Sequence, residues 1–183
     1  RFWPQVISPS SAPQRKVVVV GGGPGGLEAA RIAAERGHQI VLLEAGDALG
    51  GQLRMANAAG WRKDVTGIID WRRSELEALG VDIQLNILAG AEEIRSAAPD
   101  VVIVATGGVP DLAWLDGSEH CTSVWDVLTG SSPIADQVVI YDGTGRHPAL
   151  TAADKCHASG AELELVLRDD RPATELPYAE RVI

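Results

Sequence analysis

The clearest chemistry in the sequence is carried by three glycines and one carboxylate. Gly21, Gly23 and Gly26 follow the run "KVVVV" at the spacing G-x-G-x-x-G and lead into the alanine-rich "LEAARIAAE". In that pattern the first glycine permits a tight turn, the second lets the backbone approach a pyrophosphate, and the third lets helix and strand pack closely. A helix that begins there directs free N–H groups and a partial positive charge at an anion. Glu44 closes the next apolar run, 23 positions after Gly21. A carboxylate at the end of that second strand accepts ribose hydroxyls and repels a 2′-phosphate. The set therefore reads as a site for an adenine nucleotide or dinucleotide, with NADP disfavoured.

Two more small-residue turns follow. "GDALGGQL" holds Gly50, Gly51 and Gln52, and "VATGG" holds Ala105, Thr106 and Gly107. Either alone is ordinary loop punctuation. Together and in this order they extend the first turn into a longer cradle. The candidate cofactor-binding residues are Gly21, Gly23, Pro24, Gly25, Gly26, Glu44, Ala45, Gly51, Gln52, Ala105, Thr106 and Gly107.

No catalytic residue is assigned, because no nucleophile or general base has a partner in sight. His120-Cys121 and Cys156-His157 are adjacent pairs with no ligand spacing of a known class, so no metal site is expected. Cys121 and Cys156 lie far apart and form no C-x-x-C, so no adjacent redox disulfide is expected either. The five Trp residues receive no role.

The elements that must position these residues follow from apolar period and breakers. Residues 16–20 read as a buried strand, 25–36 as a helix stopped by Gly37, and 39–44 as a second strand, which completes a right-handed βαβ unit. Small Ala29, Ala30, Ala33 and Ala34 permit close packing on the sheet. From Trp61 to Leu79 the residues Val65, Ile68, Ile69, Leu76 and Leu79 recur at helical spacing before Gly80. Then come a strand in 81–87, a short acidic helix over 91–97 and the apolar run "DVVIVATGG". The Val-rich runs predict strands buried on both faces, as in parallel sheets. "VVIYDGTGRHPALTAADKCHASGAELELVL" repeats the order strand, glycine turn, helix, glycine, strand.

The fold class expected is α/β: a Rossmann-like doubly wound parallel sheet followed by a second, partial Rossmann-like unit. The organisation expected is a Pro/Ser-rich linker over 1–15, a nucleotide-binding domain over 16–112, a connection over 113–136 and the partial second domain over 137–183. The chain starts at Arg1 and its only Met is Met55, so a piece of a larger protein is expected. A net charge of −9 argues against nucleic acid and anionic membranes as partners. The lack of an apolar run of roughly 20 residues or of a signal-peptide order, with two distant cysteines, predicts a cytoplasmic location.

"VVVVGGGPGGLEAA", "LLEAGDALGGQL" and "PDVVIVATGGVP" resemble the FAD domain of flavoproteins with two dinucleotide-binding domains. Within that group the likeness is nearest to the C-terminal region of the 2,4-dienoyl-CoA reductase, trimethylamine dehydrogenase, histamine dehydrogenase and N-demethylase family, over residues 15 to 170. The resemblance implies FAD or ADP in this segment, and FMN in a barrel together with a 4Fe-4S cluster upstream. It also implies that the partners of the segment are its nucleotide and the rest of its own chain. A parent oxidoreductase acting on an amine or N-methyl compound is the leading reading. An NADPH-fed reductase of dienoyl-CoA type and a non-catalytic ADP-binding module are the alternatives.

Aligning "VVVVGGGPGG" with "VVIYDGTGRH" replaces the three glycines by Asp142, Thr144 and His147. A carboxylate now stands where a phosphate is needed, and two side chains stand where backbone must approach. Binding of NAD(P) at the second turn is doubtful on this reading. Arg168, after the last strand, is either a partner for a 2′-phosphate or a solvated charge.

Overall fold

The computed structural model describes residues 7–58 and 60–177, without the side chain of Trp61. Residues 1–6 of the expected linker and the last six residues therefore lie outside what is described. The chain divides into two units, Arg1–Arg54 with Asp64–Gly108 and Met55–Lys63 with Val109–Ile183.

The first unit is built on β1 (Lys16–Val20), β2 (Gln39–Leu43), β3 (Asp82–Gln84) and β4 (Val101–Val104). All pair in parallel in the order β3-β2-β1-β4, with Val17 opposite both Ile40 and Val101. This is the order of a Rossmann-like half-sheet. Helix α1 (Pro24–Glu35) connects β1 to β2, and α2 (Gln52–Ala56), a 3₁₀ turn over Gly60–Val65, and α3 (Thr66–Ala78) precede β3. On one face Val17, Val19, Ile40 and Leu42 meet Leu27 and Ala30 of α1 and Ile69 and Leu76 of α3. On the other, Val18, Val20, Val41 and Leu43 are covered by Ile87, Ala89, Ile94 and Ala97, the third of these from α4 (Ala91–Ser96). Helices on both faces make the sheet doubly wound.

Polar ties set the edges of this core. Lys16 N–H donates to the Asp100 carboxylate at 2.7 Å, and Asp100 N–H returns a bond to Lys16 O at 2.8 Å, which fixes where β1 and β4 begin. Ser10 N–H donates to Arg36 O and the Gln14 amide to Gly37 O, so the segment before β1 runs along the end of α1. Glu28 joins Arg31 on its own helix and Arg72 of α3 at 3.2 Å, and these guanidinium groups hold its carboxyl below the usual range.

In the second unit β5 (Gln137–Asp142) and β6 (Glu162–Leu167) pair in parallel across α6 (His147–Ala158). Ile140, Ala149, Ala152, Cys156 and Leu128 form its core, the last from α5 (Val124–Thr129). Ser123 caps α5 by accepting the Asp126 N–H, a helix start inside the stretch expected to be a connection.

Three expectations change. Burial on both faces holds for β1 and β2, but β4, β5 and β6 alternate, with Val104 71% and Val139 65% exposed. The latter three strands are covered on one face only among the described residues. The helix expected from Trp61 becomes α-helical only at Thr66, after the 3₁₀ turn. Its buried stripe is Ile69 and Leu76, spaced by seven, whereas Ile68 and Leu79 are exposed. Finally, the strand in 81–87 shortens to three residues because Asn86 turns to φ +59°.

Leu76→Ala should lower stability by about 2–5 kcal/mol, the usual cost of emptying a fully buried leucine site, while Ile68→Ala should change it by less than about 1 kcal/mol. Urea denaturation of the two variants beside the parent chain checks the contrast.

Candidate dinucleotide site

In an open α/β sheet a ligand settles outside the carboxyl ends of the strands, where neighbouring connections leave in opposite directions. Here that point lies between β1 and β4, and the residues singled out from the sequence gather there.

Gly21 leaves β1 with φ +105° and donates its N–H to Leu43 O at 2.8 Å. A Cβ on Gly21 would sit 2.4 Å from Ala105 O, so the turns after β1 and β4 touch through backbone. A Cβ on Gly26 would sit 1.8 Å from Gly21 O and 3.3 Å from the Ala105 Cβ. Only hydrogen fits at either place. Gly23 differs: a Cβ there would meet nothing within 4 Å, and it serves as the N-cap of α1 in extended conformation.

The start of α1 is left open electrically. No side chain caps it, no acidic residue occupies its first turn, and Pro24 stands at the first position where an N–H would go unused. Pro24 and Gly25 are exposed. What remains is an N-terminal dipole with backbone donors and no resident carboxylate to satisfy them.

The loop after β2 folds onto the same place. Gly50 N–H donates to Gly22 O at 2.8 Å, and a Cβ on Gly51, at φ +49°, would lie 3.1 Å from the Gly23 Cα. Gln52 reaches the β4 turn, its amide 3.4 Å from Gly108 O, over Gly107 at φ +73°. Ala45, Thr106 and Gly107 are exposed, and Ala105 is half-buried.

Glu44 sits one residue past β2. Its Oε2 accepts Gly22 N–H at 2.6 Å and its Oε1 accepts Gly46 N–H at 2.7 Å. Two bonds leave about half of a carboxylate's roughly four acceptor positions free, so the group is oriented without being used up. Gly22 and Gly46 were not singled out from the sequence. Gly22 is the variable position of its motif, yet a Cβ there would lie 2.9 Å from Glu44 Oε2 and 2.7 Å from Leu49. The run of three glycines was the available signal.

The second glycine turn follows another plan. Asp142, only 3% exposed, accepts from Thr144 N–H at 3.0 Å, Gly145 N–H at 2.9 Å and the Thr144 hydroxyl at 3.1 Å. Arg168 is bound by Asp169, at 3.1 and 3.3 Å, and lies 3.8 Å from Glu175. Beside the turn a cleft of about 470 Å³ is lined by Arg62, Arg146, His147 and Glu175 among others. Cys121 is exposed and Cys156 buried, both free. Among the described residues no three His, Cys, Asp or Glu side chains gather as a metal site, and no helix is long and apolar enough to cross a membrane.

Comparison with known proteins then decides the family. Residues 15–140 match the model described as pyridine nucleotide-disulphide oxidoreductase. The chain belongs to this family. It is 48% identical to a multifunctional alkene reductase/demethylase of Caballeronia cordobensis, over 91% of the chain and 25% of that protein. With a probable N-methylproline demethylase of Rhizobium meliloti (strain 1021) it shares 45% identity, over 89% of the chain and 24% of that protein. It superposes on a 2-naphthoyl-CoA reductase structure with TM-score 0.89 and 30% identity, covering 96% of this chain and 26% of that one. A 6-hydroxypseudooxynicotine amine oxidase from Pseudomonas geniculata N1 gives TM-score 0.82 at 29% identity, with 94% and 27% covered.

The chain thus spans about a quarter of the length of the curated relatives it matches. It is a dinucleotide-binding segment of the FAD/NAD(P) type from an oxidoreductase family. The first unit contains no cysteine, so the disulphide chemistry in the family's description has no pair there to carry it.

Gly26→Ala should lower the melting temperature by several degrees and weaken adenine-nucleotide binding at least about tenfold, since the methyl must displace the Gly21 carbonyl. Gly25→Ala, in open space within a helix, should hold stability or raise it by up to about 1 kcal/mol. Thermal melts with and without ADP read both.

Proposed function

We propose that the first unit holds the pyrophosphate and adenosine of FAD or ADP, within a larger oxidoreductase that acts on an amine or N-methyl compound. The observation that carries this reading is the start of α1, which is uncapped, free of acidic side chains and faced by open space at Gly23, with the oriented carboxylate of Glu44 alongside. Gly21, Gly23, Pro24, Gly25 and Gly26 would cradle the phosphates. Glu44 and Ala45 would meet the ribose, and Gly51, Gln52, Ala105, Thr106 and Gly107 would line the path toward the rest of the ligand. Residues 16–112 form the nucleotide domain on this reading, 113–136 a connection and 137–183 a partial second domain.

The demethylases and amine oxidase among its relatives support the substrate class. FMN and a 4Fe-4S cluster are assigned to the remainder of the parent protein, which is the partner of this segment and is cytoplasmic. When flavin is bound it supplies the redox chemistry, and the residues here bind it, orient it and set the charge around it. No side chain of the first unit is assigned to move a proton.

The test is spectroscopic. The purified chain, incubated with FAD and desalted, should retain either a flavin absorbance band or, after incubation with ADP, one equivalent of released nucleotide. Retention of neither ends the proposal. A flavin band would favour the redox role, and ADP alone a structural one within the same site.

Glu44→Gln should weaken binding about 10-fold to 100-fold, because its amide nitrogen must oppose one of the two N–H groups that the carboxylate now accepts. An unchanged affinity in calorimetric titration with ADP would remove Glu44 from the site.

A further inference from the structure

The family's description implies a pyridine nucleotide, and the second unit repeats the strand, turn and helix that elsewhere bind one. The amides of its turn, however, are already taken, although α6 itself, like α1, starts with no side-chain cap and no acidic residue in its first turn. Thr144 N–H and Gly145 N–H both point at Asp142 Oδ1, and Arg146 N–H donates to the Thr144 hydroxyl at 3.3 Å. These three consecutive amides lead into α6, and Pro148 adds none. The position of Asp142 corresponds to Gly21, where the first unit has no side chain at all.

A second layer lies over the turn. Glu175 N–H donates to Gly145 O at 3.0 Å, and a Cβ on Gly145 would come 2.5 Å from the Thr174 hydroxyl. Ala173 and Leu176 are 7% and 5% exposed, so this segment is packed rather than draped. Arg168, the cation that a 2′-phosphate would need, is paired with Asp169, and Glu175 lies within ion-pair distance. Asp169 also accepts from the Thr174 hydroxyl. A phosphate entering here must displace a buried carboxylate that has three hydrogen bonds, or share their donors with a like charge.

We propose that the second turn is self-liganded: the Asp142 carboxylate takes the place of a phosphate, the Thr174–Glu175 segment covers the turn, and this unit excludes NADH and NADPH. The inference concerns the second unit and goes beyond the reading of the first. Reducing equivalents then do not enter through a nicotinamide bound at Gly143–Arg146.

The experiment uses the full chain with the first site saturated by ADP, so that a failure there shows separately as loss of ADP binding. Calorimetric titration of the parent chain with NADH and NADPH should give no binding tighter than about 1 mM. Hydrogen exchange should find the Thr144 and Gly145 amides protected without any ligand and unchanged by either nucleotide. In Asp142→Gly the donors are freed, so pyrophosphate at millimolar concentration should raise the melting temperature of the variant and not of the parent. The proposal is overturned by nucleotide binding below that limit, by fast exchange at those two amides, or by exchange that slows when NADH is added. It is equally overturned if pyrophosphate stabilises parent and variant alike, or leaves a folded variant unmoved. Should Asp142→Gly not fold, the titration and exchange of the parent chain still decide.

Discussion

The first unit depends on one close approach, that of Gly26 to the carbonyl of Gly21. With a hydrogen in place of a methyl, the first turn of α1 rests directly on the loop leaving β1, and the loop leaving β4 rests on the other side of Gly21. Three segments thereby meet at the carboxyl ends of β1 and β4, with the Ala105 methyl the one side chain close to the contact. A contact this close leaves no room for an added side chain, so the turn and the start of α1 are held against each other directly. Leu27 and Ala30, fully buried just beyond, anchor the helix in that position.

The two turns show how one supersecondary unit meets one electrostatic demand in opposite ways. A strand, a tight turn and a helix leave N–H groups in want of an acceptor, and those groups must be satisfied from within or from outside. In the first unit the position after the strand is glycine, the helix start is bare, and the nearest carboxylate, Glu44, is drawn aside to Gly22 and Gly46. In the second unit the aligned position is Asp142, the last residue of β5, and the Thr144 and Gly145 amides of the turn are satisfied by its carboxylate. Moving a carboxylate from the neighbouring strand end into the turn itself converts an open anion cradle into a closed one.

Much of this was legible in the sequence. The breakers Gly37 and Gly80 ended their helices, the βαβ unit lay within a residue or so of the expected bounds, and the degraded second motif stood out against the first. What escaped has physical causes. Apolar period could not tell that Ile68 and Leu79 stay exposed, since a helix of this length has more apolar positions than it has neighbours to bury them. Valine runs looked alike in β1 and β4, yet burial depends on what lies over each face, which no strand encodes by itself. The Ser123 cap of α5 was present as a serine three residues before an aspartate, and its helix is only six residues long.

By itself the sequence determined the class of fold, the family, the location of the first turn and the residue types around it. These follow from local rules: glycine where no side chain is tolerated, a carboxylate at a strand end, period and breaker for each element. Tertiary structure alone decided that the loop after β2 is bonded onto Gly22, that Gly22 and Gly46 orient Glu44, and that Thr174 and Glu175 lie on the second turn. Apart from the Gly46 bond, which is local, each of those joins segments 20 or more residues apart. Which distant donor meets which acceptor is set by packing of the whole unit, and spacing along the chain carries no trace of it.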